Sequence, residues 1–203
     1  YVVVCTMLAS QIYFTAEDDN ADYKGEADQL FEYLHTHEND KDMVFYTVKR
    51  SYASNLLATQ GQTVTCVKAT IISANESDAQ LCTTFKTVGE KFKGPFVAAY
   101  EKTGPDTMVG EPGSDRMTVL YVNKKEKCII VQHMGKETPD TSMRSCDMVR
   151  ARLEDTSVEC NNKFSRLCGL WTTKISTTDG CTAVPKPQCI DTSEPSSSAS
   201  EQV

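Results

Sequence analysis

Few side chains in this sequence are placed to make or break bonds. The three histidines are His35, His37 and His133. His35-Thr36-His37 puts two imidazoles in one short stretch, but it closes a helix-forming segment among acids and reads as a solvated helix end rather than a metal site. There is no Gly-x-Ser-x-Gly elbow, no glycine-rich phosphate loop and no His-Glu-x-x-His pair, so acyl transfer, nucleotide chemistry and zinc hydrolysis lack their residues. A Cys–His nucleophile would need a free thiol, and the cysteines here count out as pairs. The chain reads as a non-enzyme that needs no cofactor and no metal.

Ligand recognition suits the polar residues better. Along 145–154, alternation puts Asp147, Val149, Ala151 and Leu153 on one face and Cys146, Met148, Arg150 and Arg152 on the other. Two arginines need water, so the aliphatic face points inward and carries Asp147 with it. A lone buried carboxylate costs several kcal/mol unless paired. Its partner is a cationic ligand, Arg50 from another segment, or a proton, unless Asp147 sits at a wet rim. Tyr46 and Tyr52 share a parity along 43–52 and could line a cavity, offering ring faces to a cation and hydroxyls to a polar group, or fill a plain core. Tyr100-Glu101 ends another segment and adds a hydroxyl and a second acid near the rim. The candidate ligand-binding set is Tyr46, Tyr52, Tyr100, Glu101, Asp147 and Val149.

These residues need a frame that turns alternate side chains inward. Glu26 to His35 is rich in helix formers, with Leu30, Phe31 and Leu34 on one face. From residue 43 the chain becomes extended pieces between turns: 43–52, 63–73, 81–88, 95–102, a doubtful 107–109, 116–123, 127–133 and 145–154. A sandwich or an up-and-down barrel would satisfy this pattern; closure removes exposed edges, which favours the barrel. Thr156-Ser157-Val158-Glu159 fits a capping box with the Thr156 hydroxyl on the Glu159 amide. Cys160, Phe164, Leu167 and Cys168 then recur at helical spacing before Gly169. Residues 171–188 look extended. The expected fold is all-β: an eight-stranded antiparallel barrel with a short N-terminal helix and one C-terminal helix.

Nine cysteines in 203 residues, with no Cys-x-x-Cys, point to an oxidising compartment and disulfides rather than zinc. Residues 1–16 are uncharged and give way abruptly to Glu17-Asp18-Asp19, as a truncated secretory leader would, with cleavage after Ser10 or Ala16; a buried strand is the other reading of this run. Removing the leader removes Cys5 and leaves eight cysteines, an even number. Asn75-Glu76-Ser77 is an acceptor sequence for N-glycosylation in a polar turn. The net charge of -7 repels phosphate backbones and anionic lipid surfaces. The organisation is therefore a leader (1–16), one domain (17–190) with a loose acidic arm through 25, and a Ser-rich disordered tail (191–203). The product is an extracellular monomer with no nucleic-acid or membrane partner.

From about Glu26 to Cys181 the chain resembles the tick salivary lipocalins of the histamine-binding type. The similar stretches are Val44-Phe-Tyr-Thr-Val-Lys-Arg-Ser-Tyr52, Thr65-Cys66-Val67, Cys128-Ile-Ile-Val131 and Cys160-Asn-Asn-Lys-Phe164. The resemblance implies a lipocalin-type barrel and two disulfides, Cys66–Cys181 and Cys128–Cys160. It leaves Cys82, Cys146, Cys168 and Cys189 with three possible pairings. It also implies sequestration of a host mediator, a biogenic amine such as histamine or serotonin, or a lipid. The family's amine binders carry Cys-Asp-aliphatic and Glu-Leu-aromatic; here Ile129 replaces the first acid and Asp147-Met148-Val149 replaces the second motif. Tyr52 matches a cavity tyrosine. Losing one acid and one aromatic weakens an amine site and favours a fatty acid, eicosanoid or sterol. The competing reading is a protein-binding immunomodulator that uses the barrel's exterior.

Overall fold

The computed structural model describes residues 24–52, 64–89, 92–111, 115–135, 144–153 and 157–189. The expected leader with Cys5, the arm through residue 23 and the tail 191–203 lie outside them. The elements follow in order: α1 (Glu26–Thr36), β1 (Phe45–Arg50), β2 (Val64–Ala74), β3 (Asp78–Thr87), β4 (Phe92–Lys102), β5 (Thr107–Glu111), β6 (Asp115–Asn123), β7 (Cys128–His133), β8 (Cys146–Arg150), α2 (Val158–Cys168), β9 (Thr173–Lys174) and α3 (Thr178–Thr182).

Strands β2 to β8 pair each with the next, all antiparallel, and β1 closes the ring by pairing β8 on one side and β2 on the other. The pairing of Phe45 with Ala69 and Tyr46 with Lys68 makes the closure. Further along, β1 takes β9 at Lys49 and Arg50. The result is the expected eight-stranded antiparallel barrel, each strand beside its neighbour in sequence and the ring closed by β1. The doubtful piece at 107–109 is a full strand, β5. The stretch 171–188, expected to be extended, instead holds β9 and the one-turn α3.

Helix α1 crosses one end of the barrel. Leu30, Phe31 and Leu34 are buried on its inner face and pack with Phe45, Met108, Met117 and Ile129. Its polar side fastens it to strand ends. Asp106 Oδ1 accepts from the Glu26 amide at 2.6 Å, Glu26 Oε2 accepts from the Val122 amide at 2.7 Å, and Lys102 Nζ meets Asp28 Oδ1 at 2.6 Å. Gly25, expected within a loose arm, is buried. Apolar packing fixes the helix, and these bonds set its angle over the opening.

Helix α2 covers the outer wall of β7 and β8. Cys128–Cys160 and Cys146–Cys168 staple it there, and Phe164 packs with Val48, Ile130 and Met148 into a second core. This corrects the expectation that Arg150 stands in water. Only Arg152 is exposed, while Arg150 is 3% exposed, because the outward face of β8 lies beneath a helix. The cap is also shifted by one residue. Ser157, not Thr156, is the N-cap, and its hydroxyl accepts from the Cys160 amide at 3.1 Å. The helix ends at Gly169, whose φ of +94° suits glycine.

Cys66–Cys181 joins β2 to α3 and Cys82–Cys189 joins β3 to the C-terminal segment. Both pairs implied by the resemblance are thus present, and the four remaining cysteines pair as Cys82–Cys189 and Cys146–Cys168.

Candidate ligand cavity

Strand β1 does not alternate throughout. Its register with β8 slips between Thr47 and Lys49: Thr47 faces Val149, Lys49 faces Met148, and Arg50 faces Asp147. A bulge of one residue reverses the in–out order beyond it. Phe45 and Thr47 therefore point inward with Arg50, while Val48 joins the outer core. Tyr46, expected in the cavity, lies before the bulge and points outward. It packs half-buried against the core beneath α2, with Lys68 Nζ 6.0 Å from its ring centre. Tyr52, beyond the bulge, is 1% exposed and bonds Asp147 without lining the cavity itself.

The barrel encloses a cavity of about 520 Å³, within the range of about 300–1,000 Å³ usual for small-molecule sites. Its two ends differ in chemistry because the strands run up and down. At the α1 end the walls are Leu30, Phe31, Leu34, Phe45, Met108 and Ile129. At the opposite end lie the last residues of β1, β5 and β7, the first of β6 and the second of β8: Arg50, Glu111, His133, Asp115 and Asp147. The cavity has an oily floor and a polar mouth.

The polar mouth is a connected network. Asp147 Oδ1 accepts from Arg50 Nε at 2.8 Å; its Oδ2 accepts from Arg50 Nη2 at 3.1 Å and from the Tyr52 hydroxyl at 3.2 Å. His133 Nδ1 bonds Asp115 Oδ2 at 2.7 Å. His133 Nε2 lies 3.3 Å from Asp147 Oδ2, yet its direction misses that oxygen and it has no hydrogen bond. Tyr52 fits between the two cations, its ring centre 4.7 Å from the Arg50 guanidinium carbon and 5.6 Å from the His133 ring.

Burial alone would raise the Asp147 pKa, but Arg50, with help from His133, holds the carboxyl well below the usual carboxylate range. Burial pulls His133 down, yet the hydrogen bond with Asp115 and the charges of Asp115 and Asp147 beside the ring carry it up to about 8. At neutral pH, Arg50 and His133 are cations facing the anions Asp147 and Asp115. Of the three partners open to Asp147, the one in place is Arg50.

Val149 lies on the cavity wall beside Thr47 and Ile129. Tyr100 reaches the cavity from β4, opposite Gly110. Its hydroxyl is pushed up to about 12, mainly by burial, and has no hydrogen-bond partner among the described residues. A Cβ at Gly110 would lie 2.9 Å from Met117 Cε and 3.1 Å from Tyr100 Cε1, so glycine there keeps room for both side chains. Glu101, expected either as a second acid near the rim or as a solvated side chain, is exposed on the opposite face of β4 from the cavity. It borders a separate outer hollow of about 540 Å³ with Glu38 and Asp78, because neighbours along a strand face opposite ways. Asn75 is exposed at the β2–β3 turn, where its Oδ1 accepts from the amides of Ser77 and Asp78.

Sequence reasoning left His133 and Asp115 out of the site. One signal pointed to His133: it shares the parity of Ile129 and Val131 along 128–133. Nothing local marked Asp115, which enters through its position at the start of β6.

No protein-family model and no curated protein sequence matches the chain. Similar solved structures include the siderocalin Ex-FABP, described as functioning through dual ligand specificities. It is 13% identical with TM-score 0.48, over 67% of this chain and 93% of that one. Apocrustacyanin C2 is 12% identical with TM-score 0.47, over 76% and 88% of the two chains. Japanin from Rhipicephalus appendiculatus, bound to cholesterol, is 9% identical with TM-score 0.48, over 70% and 96%.

Proposed function

We propose that this chain is a secreted salivary carrier that sequesters a small lipid-like host mediator inside its barrel, apolar body against α1 and polar end toward the mouth. One observation carries the reading: the cavity of about 520 Å³ is walled mainly by apolar side chains, and its buried Asp147 carboxylate is already paired with Arg50. An ammonium ligand would have to displace that arginine or share its partner. An apolar body displaces only water, and ten buried methylenes contribute about 8 kcal/mol. That is roughly the free energy of a micromolar complex, before the cost of association.

Secretion is supported by the four disulfides, which a reducing compartment would not maintain. Among the described residues no helix is long and apolar enough to cross a membrane. The chain acts as a monomer and performs no catalysis.

Calorimetric titration of the oxidised protein with histamine, serotonin, a long-chain fatty acid and cholesterol tests the reading. A lipid is expected to bind at micromolar Kd or tighter, with both amines much weaker. If nothing binds more tightly than about millimolar, the carrier reading fails and the barrel's exterior becomes the functional surface.

A further inference from the structure

We infer that the open end of the barrel docks on an anionic lipid bilayer, through exposed apolar side chains on both sides of the mouth and cations between them. The surface rests on the carrier reading for its purpose alone, which is to take a lipid ligand directly from the membrane.

Strand direction assigns each strand end to one end of the barrel. The mouth holds the ends of β1, β3, β5 and β7 and the starts of β2, β4, β6 and β8. Val88 follows β3, Phe92 opens β4 and Met134 follows β7. Leu170 and Trp171 join them, because Cys168 before them is bonded to Cys146 of β8 and Thr173 after them pairs with Arg50. All five are at least 40% exposed, and the other large apolar side chains exposed among the described residues are Val97, within β4, and Val158. Val158 opens α2 near the Cys128–Cys160 staple, at the opposite end.

The order of strands in the closed sheet puts β3 and β4 across the barrel from β7 and β8. Val88 and Phe92 therefore stand on one side of the opening, and Met134, Leu170 and Trp171 on the other. A peptide seated in a groove needs its apolar contacts side by side, whereas a flat partner touches both sides at once. Single exposed apolar residues are ordinary, but their gathering at one end marks an interaction site. A tryptophan among cationic side chains suits the headgroup layer, where the ring sits at the interface and Lys or Arg meets anionic lipid.

The expectation of no membrane partner comes from the net charge of -7, and it holds for a charge spread evenly. Here the acids crowd the end that α1 crosses, with Asp40, Asp42, Glu76, Asp78 and Glu101 all exposed there. Around the mouth Arg116 lies in β6, Arg144 just before β8, Arg166 in the last turn of α2 and Lys174 in β9, all exposed. They outnumber the exposed acids of that end among the described residues, Glu111 and Asp179. Physiological salt screens exposed charges beyond about 8 Å, so a bilayer at the mouth senses the cations nearby rather than the acids at the far end. The polar end of the cavity lies inside this rim, and docking sets it against the lipid.

Trp171 is the single tryptophan of the chain, so its fluorescence reads the contact directly. The intact oxidised protein is mixed with phosphatidylcholine vesicles, with or without about 30 mol% phosphatidylserine. With the anionic vesicles the Trp171 emission is expected to shift to the blue and to be quenched by brominated acyl chains. Flotation should recover about tenfold less protein on neutral vesicles, and about 1 M salt should release the native chain from anionic ones. Val88→Ser with Phe92→Ser, and separately Arg116→Glu with Arg144→Glu, should each weaken partitioning about tenfold, while Val158→Ser at the other end changes nothing. Near-UV circular dichroism checks that each variant folds, and the salt series on the native chain carries the test if one does not. An unmoved Trp171 emission with both vesicles, or rim variants that partition like the native chain, overturns the docking surface. A dimer in sedimentation that is lost with Phe92→Ser, without vesicle binding, also overturns it and gives the rim to a second copy. The carrier reading is judged apart, by titration with dispersed fatty acid and no bilayer, so either can fail while the other stands.

Discussion

Replacing Asp147 by Asn removes one negative charge and almost no volume from the centre of the polar mouth. In the native protein this carboxylate faces Arg50 through two bonds, Tyr52 through one, and the His133 ring at 3.3 Å. All three groups are at most 6% exposed, so water cannot take over when the charge is lost. Breaking a buried pair by removing one partner costs about 3–5 kcal/mol. For a domain of this size each kcal/mol moves the Tm by about 2–4 °C, so Asp147→Asn is expected to melt about 6–20 °C lower at pH 7. Near-UV circular dichroism on the oxidised protein would read the transition, with urea unfolding as a check. The double replacement Arg50→Met, Asp147→Leu leaves no unpaired charge at that spot and should recover most of the loss. If Asp147→Asn costs less than about 1 kcal/mol, Asp147 is not the structural partner of Arg50. Such a result, joined to a selective loss of amine affinity, would restore the amine reading.

His133 makes stability depend on pH in a definite direction. Its folded pKa is raised from 6.5 to about 8, so its contribution of about 2 kcal/mol is fully present below pH 6.5 and lost as pH rises through about 8. Urea midpoints at pH 6 and pH 9 should show that loss, and His133→Gln should flatten it; an unchanged wild-type midpoint would refute the His133–Asp115 pairing. The disulfides closing longer loops should matter more. From separations of 115 and 32 residues, replacing the Cys66–Cys181 pair by serines should cost about 5 kcal/mol and the Cys128–Cys160 pair about 4. A loss under 1 kcal/mol in equilibrium unfolding of either variant would count against the staple. Gly110→Val pushes a side chain between Tyr100 and Met117, and overpacking of this kind costs about 1–3 kcal/mol. Its ligand affinity should fall about tenfold in the same titrations, and unaltered affinity would place the ligand elsewhere.

The sequence by itself determined the frame. Extended segments between turn signals specified eight strands, because a half-buried strand must alternate and a turn must interrupt it. The even set of cysteines said that they pair, and the helical spacing of Cys160, Phe164 and Cys168 said that α2 lies against the wall. Asp147 was visible as an inward acid from parity along 145–154. What alternation could not show is where it stops. One bulge after Thr47 sends Tyr46 outward and brings Arg50 in, and a bulge leaves no mark in residue types. Burial of Arg150 beneath α2, and the meeting of Asp115, His133 and Asp147, depend on segments far apart in the chain. Register across the closed sheet decides which polar residues share a space. Only the tertiary structure, therefore, turned an isolated buried acid into a neutralised network.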